Sequence, residues 1–282
     1  MGCGTYSDIS RHLDAAISIV DLRLLKPLIP TGVDTPIDML IMESVLYHAF
    51  HVATGLWSDI VGSDYTFNID FWVRAESRLY QTAVNPRSPS SYNSPVLGVP
   101  VALLRTTLLL RQKFRRFSTF DVVDTENMGG EVLAWEAALL RDQEIQPTQE
   151  PNTNRANAQG DYCKDASALY VIIISLLLSQ IPQSKPGPPL QASGDDLRVR
   201  RAIEIVRGHE RDDGWARCFI GNWPTYTLGF FISRPEDVQV IRTDLQRRWD
   251  LTKMSQAQRF RNDLETTWAS RQAISSLTYT NS

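Results

Sequence analysis

Cysteine is scarce in this 282-residue chain: Cys3, Cys163 and Cys218 lie far apart, and no C-x-x-C pair occurs. Three scattered thiols supply neither a disulfide framework nor a four-ligand structural zinc site, which excludes a secreted disulfide scaffold and a zinc finger. No charge of one sign prevails either. The chain has 29 Lys and Arg against 32 Asp and Glu, a formal net charge of −3. A chain without a basic excess lacks the phosphate-neutralising side chains on which free-standing nucleic-acid binding rests. Long hydrophobic runs are missing: the longest, residues 166–178, falls short of the roughly 20 residues that a membrane span needs. The opening MGCGTYSDIS has no basic segment followed by an apolar run, so it reads as no secretory signal. Gly2-Cys3 hints at acylation, but myristoylation wants Ser or Thr at position 6, which is Tyr6. There is no Asn-x-Ser/Thr sequon. Together these absences predict a soluble intracellular protein.

What is present is helical periodicity. With 43% hydrophobic residues the chain can bury a substantial core. Leu13, Ala16, Ile17, Val20 and Leu24 recur at offsets of three and four, the spacing of one buried helix face. Residues 37–60 are apolar nearly all round, as in a helix surrounded by others. Val132, Trp135, Leu139 and Leu140 give another stripe, and Leu169, Ile172, Ile173, Leu176 and Leu177 a further one. The β-branched run 171–174 also suits a buried strand, but its length and the Asp161/Asp165 pair near its start favour a helix. Pro235-Glu236 opens a helix striped by Val238, Ile241, Leu245 and Trp249. Ser255 with Gln258 reads as a capping box, followed by Phe260, Leu264 and Trp268. No alternating strand pair and no Asn-Gly hairpin appears. The expectation is an all-α protein: a single large helical domain over 8–270 with long surface loops at 85–100, 146–160 and 182–194, then a flexible tail at 271–282.

One cluster stands out chemically. On a helix, Glu43, Tyr47 and His51 share a face, and His48 lies one turn from His51. Such a group can move a proton, line a pocket or hold a metal. It is not H-E-x-x-H, and no second ligand cluster accompanies it, so polar groups satisfying one another between helices is the plainer reading. Asn262-Asp263-Leu264 with Thr266 starts like the second metal motif of class I terpene synthases, but Ser270 stands where an acid should close it, and no aspartate-rich first motif is present. Magnesium-diphosphate chemistry needs several converging carboxylates. Asp212-Asp213-Gly214 reads as a helix-ending turn. G-x-S-x-G, P-loop and G-x-G-x-x-G motifs are absent. Cys163 and Cys218 read as small core residues. Arg111, Lys113, Arg115 and Arg116, interleaved with Phe114 and Phe117, read as the solvated face of an amphipathic helix, with a nuclear-import patch or a surface for an acidic partner as the alternatives. These residues imply no catalytic group, no metal and no cofactor. The seven tryptophans read mostly as core.

Taken in order, several segments resemble a known family. HLDAAISIV at 12–20 and ESVLYHAF at 43–50 are similar to early helices of the regulatory region of fungal zinc-cluster transcription factors, the fungal-specific transcription factor domain. DASALYVIIISLLL at 165–178 resembles its central apolar helix, and WPTYTLGFFI at 223–232 its Trp-Pro followed by an apolar stretch with a glycine. VIRTDLQRRW at 240–249 and FRNDLETTW at 260–268 follow at similar spacing. The chain departs from the family where Gly229 is followed by the bulky Phe230 and Phe231, and in lacking the six-cysteine cluster that touches DNA. The resemblance implies a helical, enzymatically silent regulator in the nucleus. It implies action through protein partners, such as a full-length transcription factor or a homodimer, or through a small-molecule effector, rather than by direct DNA contact. The rival reading is a helical domain recruited in natural-product biosynthesis as a non-metal enzyme or ligand-binding protein, with its pocket at Glu43, Tyr47, His48 and His51.

Overall fold

The computed structural model describes residues 6–25, 36–59, 68–81, 96–115, 122–144, 155–181 and 187–279. The fold is all-α, with eleven α-helices and no strand among the described residues. The chain divides into two compact units. The first comprises Met1–Gly55 and Asp59–Arg115; the second comprises Leu56–Ser58 and Arg116–Ser282. No shift in composition marks this division.

The first unit holds α1 (Tyr6–Val20), α2 (Pro36–Thr54), α3 (Ile69–Gln81) and α4 (Val101–Arg115). Helix α1 buries Leu13 and Val20 and ends in a π-helical turn, Asp21–Leu25; the side chain of Leu24 lies outside the described set. Arg74 of α3 holds that turn by donating Nε and Nη2 to Asp21 Oδ1 at 3.1 and 2.6 Å, and Arg105 of α4 reaches Glu76 of α3 at 3.0 Å. Helix α2 differs from the expectation for residues 37–60. It stops at Thr54, and its opening turns leave Ile37, Leu40 and Ile41 exposed while Met39, Met42, Leu46 and Phe50 face the core. The stop has a local cause. Gly55 takes the left-handed conformation at φ +51° and donates its N–H to His51, which glycine does without a Cβ penalty.

The second unit is built around α9 (Asn222–Phe231), every residue of which is buried. Around it pack α6 (Arg155–Gln180), α7 (Leu197–Gly208), α10 (Pro235–Thr252) and α11 (Ser255–Tyr279), with α8 (Asp213–Arg217) on α10 and α5 (Val122–Glu144) on α6. A helix with no solvent face must satisfy its terminal carbonyls internally, and α9 does. Trp268 Nε1 donates to Gly229 O at 2.9 Å and Arg271 Nη1 to Phe230 O at 2.9 Å. Ala192 N reaches Phe231 O at 2.9 Å, and Gln191 Nε2 reaches Ile232 O at 3.1 Å. The described part of the proline-rich loop therefore caps the central helix. Trp57 is anchored in the same core, its backbone N–H on the Tyr226 hydroxyl at 2.7 Å and its indole on Thr227 Oγ1 at 3.0 Å.

Several boundaries differ from those read in the sequence. Helix α6 begins at Arg155, inside the expected loop 146–160, because Ala156, Ala158 and Gln159 are good helix formers. Asp165 is consequently well inside the helix. The stripe Leu169, Ile172, Ile173, Leu176 and Leu177 is helical and buried, which settles the strand alternative. On α5, Val132 is buried and Trp135 half-buried, while the side chains of Leu139 and Leu140 lie outside the described set. Helix α11 runs to Tyr279, well into the stretch expected as a tail. Helix α10 ends at Thr252 and is capped by Lys253, whose φ of +54° lets its N–H close onto Trp249 O at 2.8 Å.

Candidate functional site

The four residues singled out on α2 engage different described partners. Tyr47, His48 and His51 meet as rings: Tyr47 lies edge-on to His51 with centroids 4.2 Å apart, and edge-on to His48 at 5.3 Å. Burial, with the nearby His48 ring, lowers the His51 pKa to about 4, so this imidazole is neutral near pH 7. Glu43 is turned to another task. Its buried carboxylate accepts from the backbone N–H of Val96 at 2.8 Å and of Leu97 at 3.3 Å, tying the segment before α4 to α2. A carboxylate holding two amides is a structural clamp.

The basic run on α4 also departs from expectation. Arg111 is buried, not solvated: its Nε donates to Thr54 O at 2.9 Å, and Arg115 Nη2 reaches the same oxygen at 3.2 Å. Two guanidinium groups thus meet the negative end of α2. A Cβ on Gly55 would lie 3.1 Å from Arg115 Nη2, a second reason for glycine at the helix end. Arg116 and Phe117 lie outside the described residues.

In the second unit, two polar constellations escaped the sequence reading, and both converge on the fully buried Trp215. Arg248 of α10 is itself fully buried. Its Nε donates to Asp244 Oδ2 at 2.6 Å, and its Nη1 donates to Cys218 O and Asn222 Oδ1, both at 2.8 Å. Its guanidinium carbon lies 5.0 Å from the centre of the Trp215 ring, and the Trp215 indole donates to Asp244 Oδ1 at 3.1 Å. The i, i+4 spacing of Asp244 and Arg248 was legible, but a burial this deep was not.

The second constellation is centred on His209, just past α7. Its ring stacks on Trp215 with centroids 4.5 Å apart and planes 14° from parallel. Nε2 lies 2.7 Å from Asp165 Oδ2 of α6, and Nδ1 lies 3.4 Å from Asp212 Oδ2. Asp212 opens α8 instead of ending a helix: its Oδ1 accepts from Gly214 N at 2.9 Å, Trp215 N at 3.3 Å and the Tyr162 hydroxyl at 2.8 Å. The Asp-Asp-Gly triplet suggests a C-terminal glycine, but aspartate is equally an N-cap residue, and the cap prevails. Burial opposes a charge on His209, yet the two carboxylates outweigh it and its pKa is raised; burial of Asp212 is likewise outweighed by its hydrogen bonds, and its pKa is lowered.

Elsewhere, burial pushes the Cys163 thiol up to about 11 and also raises that of Cys218, so both are protonated near pH 7. Asp263 of the Asn-Asp-Leu motif accepts from the Tyr226 hydroxyl in the core, while Asp196 caps α7 and Asp195 pairs with Arg234. Among the described residues, no group of three or more His, Cys, Asp or Glu is arranged to hold a metal ion. Contrary to the sequence estimate, Tyr162–Gln180 is long and apolar enough to cross a membrane by length and composition, yet 61% of it is buried in the fold, as in a core helix. No protein-family model, curated protein or solved structure matches the chain.

Proposed function

We propose that this chain is a helical regulator of transcription, akin to the regulatory domain of fungal zinc-cluster factors. It acts in the nucleus through protein partners, a full-length transcription factor or a second copy, or through a small-molecule effector, and not by touching DNA or a membrane. The observation that carries this reading is the apolar surface of the first unit. Ile37, Leu40 and Ile41 on α2 and Ile69, Val73 and Tyr80 on α3 are all exposed. Single exposed apolar residues need no explanation, whereas several on adjoining helices suit a protein interface. The Trp-Pro segment that carries much of the resemblance forms the buried α9, in keeping with a structural role for that motif.

A second reading, a helical fold serving as a ligand-binding protein or non-metal enzyme in natural-product biosynthesis, is favoured by the Tyr47, His48 and His51 rings. The two readings part in one experiment: localisation of the tagged chain in cells, with reporter transcription measured when the chain is expressed or removed. Nuclear residence with altered reporter output supports the regulator. Cytosolic residence with turnover of a small molecule by the purified protein sinks it.

A further inference from the structure

The corner formed by Asp165, His209, Asp212 and Tyr162 has a property that a general base lacks: both imidazole nitrogens are already committed to carboxylates. A neutral imidazole carries one N–H and one lone pair, so it satisfies one aspartate and turns a lone pair towards the other. Only the imidazolium donates to both. The arrangement therefore favours the proton, and the protonated ring joins elements far apart in sequence.

We propose that His209 and its two aspartates form a proton-sensitive latch that fastens the start of α8 to α6. Its parts are few. Asp165 is the anchor on α6. His209 is the pin, and Asp212 is the hub that also holds the first amides of α8 and the Tyr162 hydroxyl. Tyr162 closes the corner from α6, its ring edge-on to His209 at 5.7 Å and its hydroxyl at the place a Gly214 Cβ would occupy. From α10, the Arg248 guanidinium meets the same indole on which His209 stacks, and it is paired with Asp244. Arg247 of α10 neutralises Asp213 at 2.6 Å and donates to the Glu210 carbonyl, so Asp213 is held apart as a partner of the arginine. Arg207 of α7 is directed to Asp237 at 3.7 Å. The charged groups shown against the ring are thus the two aspartates, Asp165 and Asp212, both of which favour the proton.

The direction follows from linkage. The folded chain binds this proton more tightly than the unfolded chain does, so the latch contributes its full stabilisation below about pH 6.5 and loses it as pH rises through the folded value. Once the ring is neutral it donates to one aspartate only, so the bridge between Asp165 and Asp212 is broken, and the α8 opening is held by Asp212 without its link to α6.

The test uses the full chain with imidazole carbon labels. There are four histidines, His12, His48, His51 and His209, and the His209 signal is identified by its loss in His209→Gln. If that variant does not fold, His12→Gln, His48→Gln and His51→Gln identify it by elimination. The latch predicts that His209 titrates above about pH 6.5. The protection of the Gly214 and Trp215 amides falls through the same midpoint, about tenfold for each unit by which that midpoint exceeds 6.5, while the α9 amides stay protected. Asp165→Asn, which retains the ring, lowers the midpoint by about one unit or more. A midpoint at or below 6.5, flat protection at residues 214 and 215, simultaneous loss in α9, or no effect of Asp165→Asn overturns the proposal.

Discussion

Gly229 lies in the middle of α9, where helix propensity alone says that alanine is better by about 1 kcal/mol. The packing says the opposite. A Cβ built on Gly229 sits 2.5 Å from Leu264 Cδ1, 2.7 Å from Cδ2 and 3.2 Å from Cγ. Leu264 is fully buried, so its side chain must repack inside the core, and what it does not absorb pushes α9 and α11 apart. Overpacking of this kind costs about 1–3 kcal/mol. Separation of the helices also stretches the bond from Trp268 Nε1 to Gly229 O, 2.9 Å long and buried, and an indole N–H left without a partner costs about 1–3 kcal/mol more. Against the propensity gain, Gly229→Ala is expected to destabilise the second unit by about 1–5 kcal/mol. Urea unfolding followed by tryptophan fluorescence should show a lower midpoint with an unchanged slope. Leu264→Ala leaves a cavity that the new methyl can partly fill. The double variant should then be more stable than the sum of the single losses by about 1–3 kcal/mol. A Gly229→Ala protein as stable as the parent, or strict additivity in the double variant, refutes the close approach of α9 and α11.

Three further outcomes follow from buried polar groups. Arg248→Met leaves Asp244 with the Trp215 indole as its remaining described donor and takes a donor from Cys218 O and Asn222; unfolding should show a loss of about 3–5 kcal/mol, much of it recovered in Arg248→Met/Asp244→Leu. His51 has a folded pKa of about 4, below its unfolded value, so the unfolded chain takes up the proton first and stability falls with pH. Across pH 6.5 to 4 that loss is roughly 3 kcal/mol, and His51→Phe should flatten this limb in urea titrations of the first unit. Glu43→Ala strips the clamp from two amides and should cost about 2–4 kcal/mol, with Glu43→Gln milder because an acceptor oxygen remains.

What the sequence revealed was what short-range spacing encodes. The stripe Val238, Ile241, Leu245 and Trp249 marks α10, with Ile241 and Leu245 buried, and Pro235 marks its start. The run Leu169 to Leu177 marks the core face of α6. The candidate site was legible only in part. Tyr47 and His51 do meet, as i, i+4 neighbours on one helix can, whereas the amides of Val96 and Leu97 that Glu43 holds are identified by no local pattern. His209 and Asp165 are 44 residues apart, and nothing local distinguishes them from solvated charges. Arg111 and Arg248 were hidden for a related reason. An arginine flanked by other basic residues looks like a wet surface, and only the neighbouring helix end or buried carboxylate turns it inward.

The proposed role is regulation of transcription through the exposed apolar residues of α2 and α3. The most direct measurement tethers the whole chain to an unrelated DNA-binding module and reads a reporter gene. It compares the parent with a variant carrying Ile37→Ser, Ile41→Gln and Val73→Gln, exposed positions where substitutions alter stability little. The account predicts a change in transcription with the parent that the variant loses at equal protein level and equal urea midpoint. A tethered parent that leaves transcription unchanged, or a variant as active as the parent, contradicts it.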